Sequence, residues 1–174
     1  DHVGHYVTIV ASNTARAVDV WAERAGRAVT EDDMEPLTWA LAGFGRSKTA
    51  PELLAAIESV HRFGRRIAEW FAGGFDLLLT ATQSAPPPPI GEITSTREEP
   101  LRAFMRAAPY GVNTLPFNQS GMPAISLPVH WTADGLPVGA QLVAPFARED
   151  LLLAVGAQLE QVFDWRTRRA PVHA

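Results

Sequence analysis

Apolar positions recur at helical spacing over much of the chain, and at strand spacing only in two places. Tyr6 to Val10 form an apolar stretch that leads into a helix, with Ser12 or Asn13 able to accept a hydrogen bond from its first amides. Val18, Trp21, Ala22 and Ala25 make the stripe of that helix, and Gly26 suits its end. A second helix is expected from Thr30, with Glu31, Asp32 and Asp33 placing negative charge on its first turn and Met34, Leu37, Leu41 and Phe44 on its apolar side. Thr49-Ala50-Pro51-Glu52 has the form of a capping box with proline in the first turn. The 3.6-residue period that follows, through Leu53, Leu54, Ile57, Val60, Ile67, Trp70 and Phe71, predicts a long helix that Gly73-Gly74 ends.

The period then changes. Phe75 to Thr80 is an apolar run without alternation, which predicts a strand buried on both faces. Pro86 to Pro89 forbid regular structure and stiffen a loop. After a short helix at about Glu98 to Ala107, Pro123 to Trp131 and Leu136 to Ala144 read as strands joined by Thr132-Ala133-Asp134-Gly135, a strong hairpin signal. Ile125, Leu127, Val129 and Trp131 would share one face, and Leu136, Val138, Ala140 and Leu142 one face of the partner. Gly139 leaves room there for close backbone approach. A last helix near Arg148 to Val162 is amphipathic through Leu151, Leu152, Val155, Leu159 and Val162.

The expected fold class is therefore α/β, a mixed sheet covered by helices with an antiparallel hairpin near 123–144. Three strands are few for this much helix, and a strand as apolar as Leu77 to Leu79 calls for neighbours on both sides. Some strands are thus expected outside these 174 residues.

Composition narrows the chemistry. A formal charge of −4 leaves no electrostatic footprint for nucleic acid. Arg62, Arg65 and Arg66 cluster, but Glu58 and Glu69 flank them on the same helix, as on a solvated face. The absence of cysteine excludes disulfides, thiolate metal sites and a cysteine nucleophile, and fits a reducing cytoplasm. No apolar run approaches the roughly 20 residues of a membrane span. The first residue is Asp1 rather than methionine, as in a cleaved chain or a fragment.

No serine sits in a Gly-x-Ser-x-Gly elbow. Ser120, in Asn118-Gln119-Ser120-Gly121-Met122-Pro123, comes nearest, and a turn serine bonding nearby backbone is the simpler reading. His130 follows ten residues later, in a hairpin strand. Asp1, His2 and His5 have spacing compatible with a metal but no further ligand near them, so no metal site is assigned. The carboxylate pairs Asp32-Asp33 and Glu98-Glu99 are adjacent, and adjacent helical residues do not face each other, which excludes acid/base pairing. Gly43-Phe44-Gly45 lacks the rest of a phosphate loop.

Two stretches resemble a known family. Phe117-Asn118-Gln119-Ser120-Gly121-Met122-Pro123-Ala124-Ile125-Ser126-Leu127-Pro128, continued by Asp134-Gly135-Leu136-Pro137-Val138-Gly139-Ala140-Gln141-Leu142-Val143, resembles the closing hairpin of amidase-signature enzymes. Phe75-Asp76-Leu77-Leu78-Leu79-Thr80-Ala81-Thr82 is similar to the strand before it, with Ala81 where the family usually has proline. Thr30 to Trp39 and the long helix resemble bacterial amidases of the 6-aminohexanoate cyclic-dimer hydrolase type. The resemblance implies a C-terminal part of a single amidase domain, spanning 1–174, in a parent that hydrolyses the carbon–nitrogen bond of small-molecule amides with a Ser–Ser–Lys triad and no cofactor. The Gly/Ser-rich signature that carries the triad is not in this sequence, and Lys48 is the only lysine, so no catalytic residue is assigned.

What this chain is expected to contribute is core and part of a pocket rim. Thr80 and Thr82 end a strand where clefts often open, and Asn118, Gln119 and Ser120 form the turn before the hairpin. Asn13 and Thr38 are further polar candidates, and for each the competing role is a cap, a turn or a buried hydrogen bond. The expected partner is the missing N-terminal part or a second copy covering exposed core, with no nucleic acid and no membrane. The alternative is a non-catalytic binding or scaffold module derived from the amidase fold.

Overall fold

A computed structural model describes residues 2–168. These residues form two compact units, 1–63 with 87–109 and 64–86 with 110–174, less the undescribed ends. In the first unit helix α1 runs from His2 to Ala25 without a break. Asn13 lies in mid-helix rather than at a cap, because no glycine or proline interrupts the chain between Gly4 and Gly26. The polar groups along the way are absorbed by the helix itself: Thr8 and Thr14 donate to the carbonyls of Gly4 and Val10 at 3.1 and 2.9 Å. Gly26, at φ +66°, ends the helix as expected.

The helix expected from Thr30 is split. Glu31–Asp33 form one 3-10 turn, Met34 and Glu35 are extended, and helix α2 covers Pro36–Arg46. Pro36 is the cause, since its ring bars the helical conformation from the residue before it while suiting a first-turn position. Ala11, Ala15 and Val18 of α1 and Ala42 and Gly45 of α2 are buried, the small side chains allowing close helix contact. A Cβ on Gly45 would stand 2.0 Å from the carbonyl oxygen of Ala11. Arg46 joins Asp19 across the pair at 2.8 Å.

Helix α3, Ala50–Ala72, begins with the predicted capping box: the Thr49 amide and hydroxyl both donate to Glu52 at 2.8 Å. Gly74, at φ +107°, lies just beyond its end, and Arg62 pairs with Glu58 one turn away at 3.7 Å. Pro86 to Pro89 carry no regular structure. Helix α4 is shorter than expected, Arg102–Ala107, because Pro100 keeps the preceding turn irregular.

The second unit holds a three-stranded antiparallel sheet in the order β1-β3-β2, from β1 (Leu78–Ala81), β2 (Ala124–Trp131) and β3 (Pro137–Val143). The hairpin turn closes as its residues predict, with the Thr132 amide donating to Leu136 O at 2.9 Å and Gly135 at φ +81°. One face packs on helix α6 (Glu149–Phe163): Ile125, Leu127, Val129 and Leu142 meet Leu152, Val155 and Leu159. The other face packs Leu78 and Val143 against Ile67 and Phe71 of α3, Phe117 and Met122.

Three expectations change here. The strand expected to be buried is an edge strand among the described residues, paired with β3 alone, and Leu79 is 67% exposed. Leu79 shares a row with Leu142 and Ile125, but only those two join the α6 core. Phe75 stays out of the strand and stacks on Trp70, ring centres 4.3 Å apart. A bulge at Val129, beside the donor-free Pro128, shifts the register so that His130 lies opposite Val138 and Trp131 opposite Pro137. Trp131 therefore leaves the expected face and lies beneath the Arg168 guanidinium.

Candidate functional site

The sheet face that meets α3 is apolar at one end and polar at the other, and strand alternation dictates this. Leu78, Val143 and Ala124 form its first row, Thr80, Gln141 and Ser126 the second, and beyond Gln141 β3 carries Gly139. Thr82 extends the ladder by donating its amide to Gly139 O at 3.0 Å. The Thr82 and Ser126 hydroxyls meet at 2.7 Å above the central strand. Gly139 makes that contact possible, since a Cβ there would lie 2.6 Å from Thr82 Oγ1 and 2.7 Å from Ser126 Oγ. The close approach at Gly139 is thus by two side chains, and not by backbone as expected.

Gln141 is 4% exposed, and its Nε2 donates to Thr80 Oγ1 at 3.0 Å and to Asn113 O at 2.9 Å. Both amide protons are used, which is what tolerates a buried glutamine in an apolar strand. The structure thus brings Thr80 and Thr82 together with three residues that the sequence does not single out as site candidates: Asn113, Ser126 and Gln141. The signal for Gln141 was present, a lone glutamine within Val138-Gly139-Ala140-Gln141-Leu142-Val143.

The other candidates are more scattered. Asn118, Gln119 and Ser120 lie in the last turn of a short helix, α5 (Leu115–Ser120), and not in an open turn; Gly121, at φ +73°, ends it. Pro116 in the first turn and the left-handed glycine after the last one delimit a helix too short for periodicity to reveal. Asn118 is exposed, and Ser120 donates to Phe117 O at 3.5 Å. Gln119 is 7% exposed, with neither end of its amide hydrogen-bonded among the described residues. Asn13 is exposed on α1, and Thr38 lines a groove of about 500 Å³ with Thr14, Trp21 and Met34. Both belong to the first unit.

Among the described residues no activated nucleophile stands at the sheet. The Thr82–Ser126 pair has no base within hydrogen-bond reach among the described residues, and the Lys48 ammonium lies over the Phe44 ring at 4.1 Å. Carboxylates held below their ordinary range are all exposed structural partners. Asp33 is lowered chiefly by hydrogen bonds from Arg27, at 2.9 and 2.6 Å, then by the Thr30 amide; Glu52 is lowered by the Thr49 amide and hydroxyl. Asp32 pairs instead with Arg97, so the two adjacent aspartates serve different partners. Asp1 lies outside the described residues, as does the His2 side chain, and no cluster of three metal-binding side chains occurs among the described ones. No described helix is long and apolar enough to cross a membrane. The site offers uncharged hydroxyls and amides, groups able to donate and accept hydrogen bonds.

Residues 4–153 match the family model described as Amidase. The chain belongs to the amidase family. Among individual proteins it is 37% identical over 169 residues to the 6-aminohexanoate-cyclic-dimer hydrolase of Pseudomonas sp. (strain NK87), covering 94% of this chain and 34% of that protein. The 6-aminohexanoate-cyclic-dimer hydrolase of Paenarthrobacter ureafaciens matches with the same identity and coverage. A solved structure of 6-aminohexanoate cyclic dimer hydrolase superposes with a TM-score of 0.93 at 35% identity, over 98% of this chain and 36% of that one. A bacterial aryl acylamidase of the amidase-signature family, 17% identical with a TM-score of 0.71 over 97% of this chain and 36% of that one, shares the fold. The chain spans about a third of the length of the curated relatives it matches.

Proposed function

We propose that this chain is the C-terminal part of an amide hydrolase that cleaves carbon–nitrogen bonds of small neutral amides, linear or cyclic. The observation that carries the reading is its 37% identity, over 94% of its residues, to 6-aminohexanoate-cyclic-dimer hydrolases. In this reading a serine attacks the amide carbonyl, a second serine and a neutral lysine relay the proton to the leaving nitrogen, and backbone amides hold the oxyanion. Those groups belong to sequence outside the 174 residues, in keeping with the third of the relatives' length that the chain spans. The chain itself supplies core and a polar rim, for which Thr80 and Thr82 are the best-supported candidates, with Asn118, Gln119, Ser120, Asn13 and Thr38 as further ones. No cofactor enters this chemistry, and a cytoplasmic setting belongs to the same proposal.

The test is to express the open reading frame that encodes this chain, with any sequence upstream of Asp1, and assay release of free amine from 6-aminohexanoate cyclic dimer and simple linear amides. Turnover lost on mutating an upstream serine or lysine is the expected result. A full-length product that binds amides without cleaving them, or lacks a Gly/Ser-rich signature, would replace this reading by the binding-module one.

A further inference from the structure

The two contacts of Gln141 locate a proton on Thr80. Asn113 O is a carbonyl and can only accept, so the amide atom 2.9 Å from it must be the nitrogen. That same nitrogen lies 3.0 Å from Thr80 Oγ1 and has no lone pair to offer, so Thr80 accepts there as well. The Thr80 proton points away from Gln141, and Thr80 makes no other side-chain hydrogen bond among the described residues. A threonine hydroxyl is ordinarily free to rotate; here one lone pair is committed, which restricts where the donor can point.

We propose that Gln141 is a positioning residue that presets the Thr80 hydroxyl as a hydrogen-bond donor to the carbonyl oxygen of a neutral amide ligand. The chemistry of the surroundings selects that ligand. Thr80, Thr82, Ser126 and Gln141 are all uncharged, so the row offers an acceptor-seeking hydroxyl without a cation that would favour a carboxylate or phosphate. Thr80 is half-buried at the end of a strand, where partial removal of water strengthens a single hydrogen bond. Gln141 has a second effect, since the same amide ties the Asn113 backbone to the central strand.

This inference rests on the amide-hydrolase reading, and steady-state kinetics on the full enzyme with 6-aminohexanoate cyclic dimer as the probe separates the two. Thr80→Val removes the donor at nearly constant shape and should raise KM roughly tenfold with kcat little changed, while Thr80→Ser stays within about twofold of wild type. Gln141→Met should produce a rise of at least that size, since it also frees Asn113, and the double variant should lose less than the two single changes summed, because both act on the same Thr80 donor. Additive losses, or Thr80→Val at wild-type KM, would overturn the proposal. The Thr80 pair remains decisive if Gln141→Met does not fold. A wild-type enzyme without amide turnover would instead overturn the functional reading beneath it.

Discussion

Two glycines and one alanine show how much a single side chain can decide. A methyl group on Gly45 would meet the Ala11 carbonyl at 2.0 Å, and backbone cannot step aside without separating the helices. Gly45→Ala should therefore cost about 3 kcal/mol, measured by urea denaturation. At Gly139 the obstruction is two hydroxyls that can part, so Gly139→Val should cost at least about 1 kcal/mol. A neutral result at Gly139 would mean that the Thr82–Ser126 contact contributes nothing to the sheet. Ala147 has the opposite character: it holds φ +62° without being glycine. Ala147→Gly relieves that strain and should raise stability by up to about 1 kcal/mol. The glycines stand out in the sequence, but their neighbours do not, since Ala11 is 34 residues from Gly45 and Thr82 is 57 from Gly139.

At the scale of elements, carboxylates tied to local donors are expected to set the acid limit. Asp33 and Glu52 both hold pKa values below their unfolded ones through hydrogen bonds to the charged form, from Arg27 and Thr30 and from Thr49. A lowered folded pKa means that the stabilisation is present above the unfolded value, about 4, and is lost as pH falls through the folded one. The melting temperature should hold through neutral pH and decline below about pH 4. Asp33→Asn should lower it at pH 7 and make the acid decline shallower; an unchanged acid limb would show that the Arg27 clamp does not couple to folding. Elements with local causes were legible in the sequence: the capping box at Thr49, the stop at Gly74 and the Asp134-Gly135 hairpin. Ser12 and Asn13 mark no helix start, because a good cap residue is also tolerated inside a helix that tertiary packing sustains. The apolar run Leu77 to Leu79 predicts a buried strand, because composition reports an environment that the described chain does not supply around Leu78–Ala81.

The whole molecule raises the matter of what covers that environment. Among the described residues β1 has one open edge and an exposed Leu79, and Leu153, Val162 and Phe146 are exposed in the same unit. Apolar edges of this kind recruit partners. The 174-residue chain alone should self-associate or bind apolar dyes, as light scattering would detect, and should show no amide turnover. A stable, cooperatively melting monomer with low dye binding would mean that the unit is complete without a partner. Hydrolysis of simple amides by the isolated chain, lost on mutating Ser120 or His130, would overturn the assignment of the chemistry to another segment.

By itself the sequence determined the α/β class, the long capped helix, the hairpin and the family resemblance, because each rests on local rules: a period, a cap, a turn residue, a motif. Only the tertiary structure decided that Gln141, Asn113 and Thr80 form one hydrogen-bonded group and that Thr82 meets Ser126 over Gly139. The reason is register. Residues 28 to 61 positions apart become neighbours through strand pairing and a loop, and which of them share a face depends on the pairing of β1 with β3 rather than with the strand next in sequence. One bulge at Val129 was enough to move Trp131 off the face that alternation alone assigned to it.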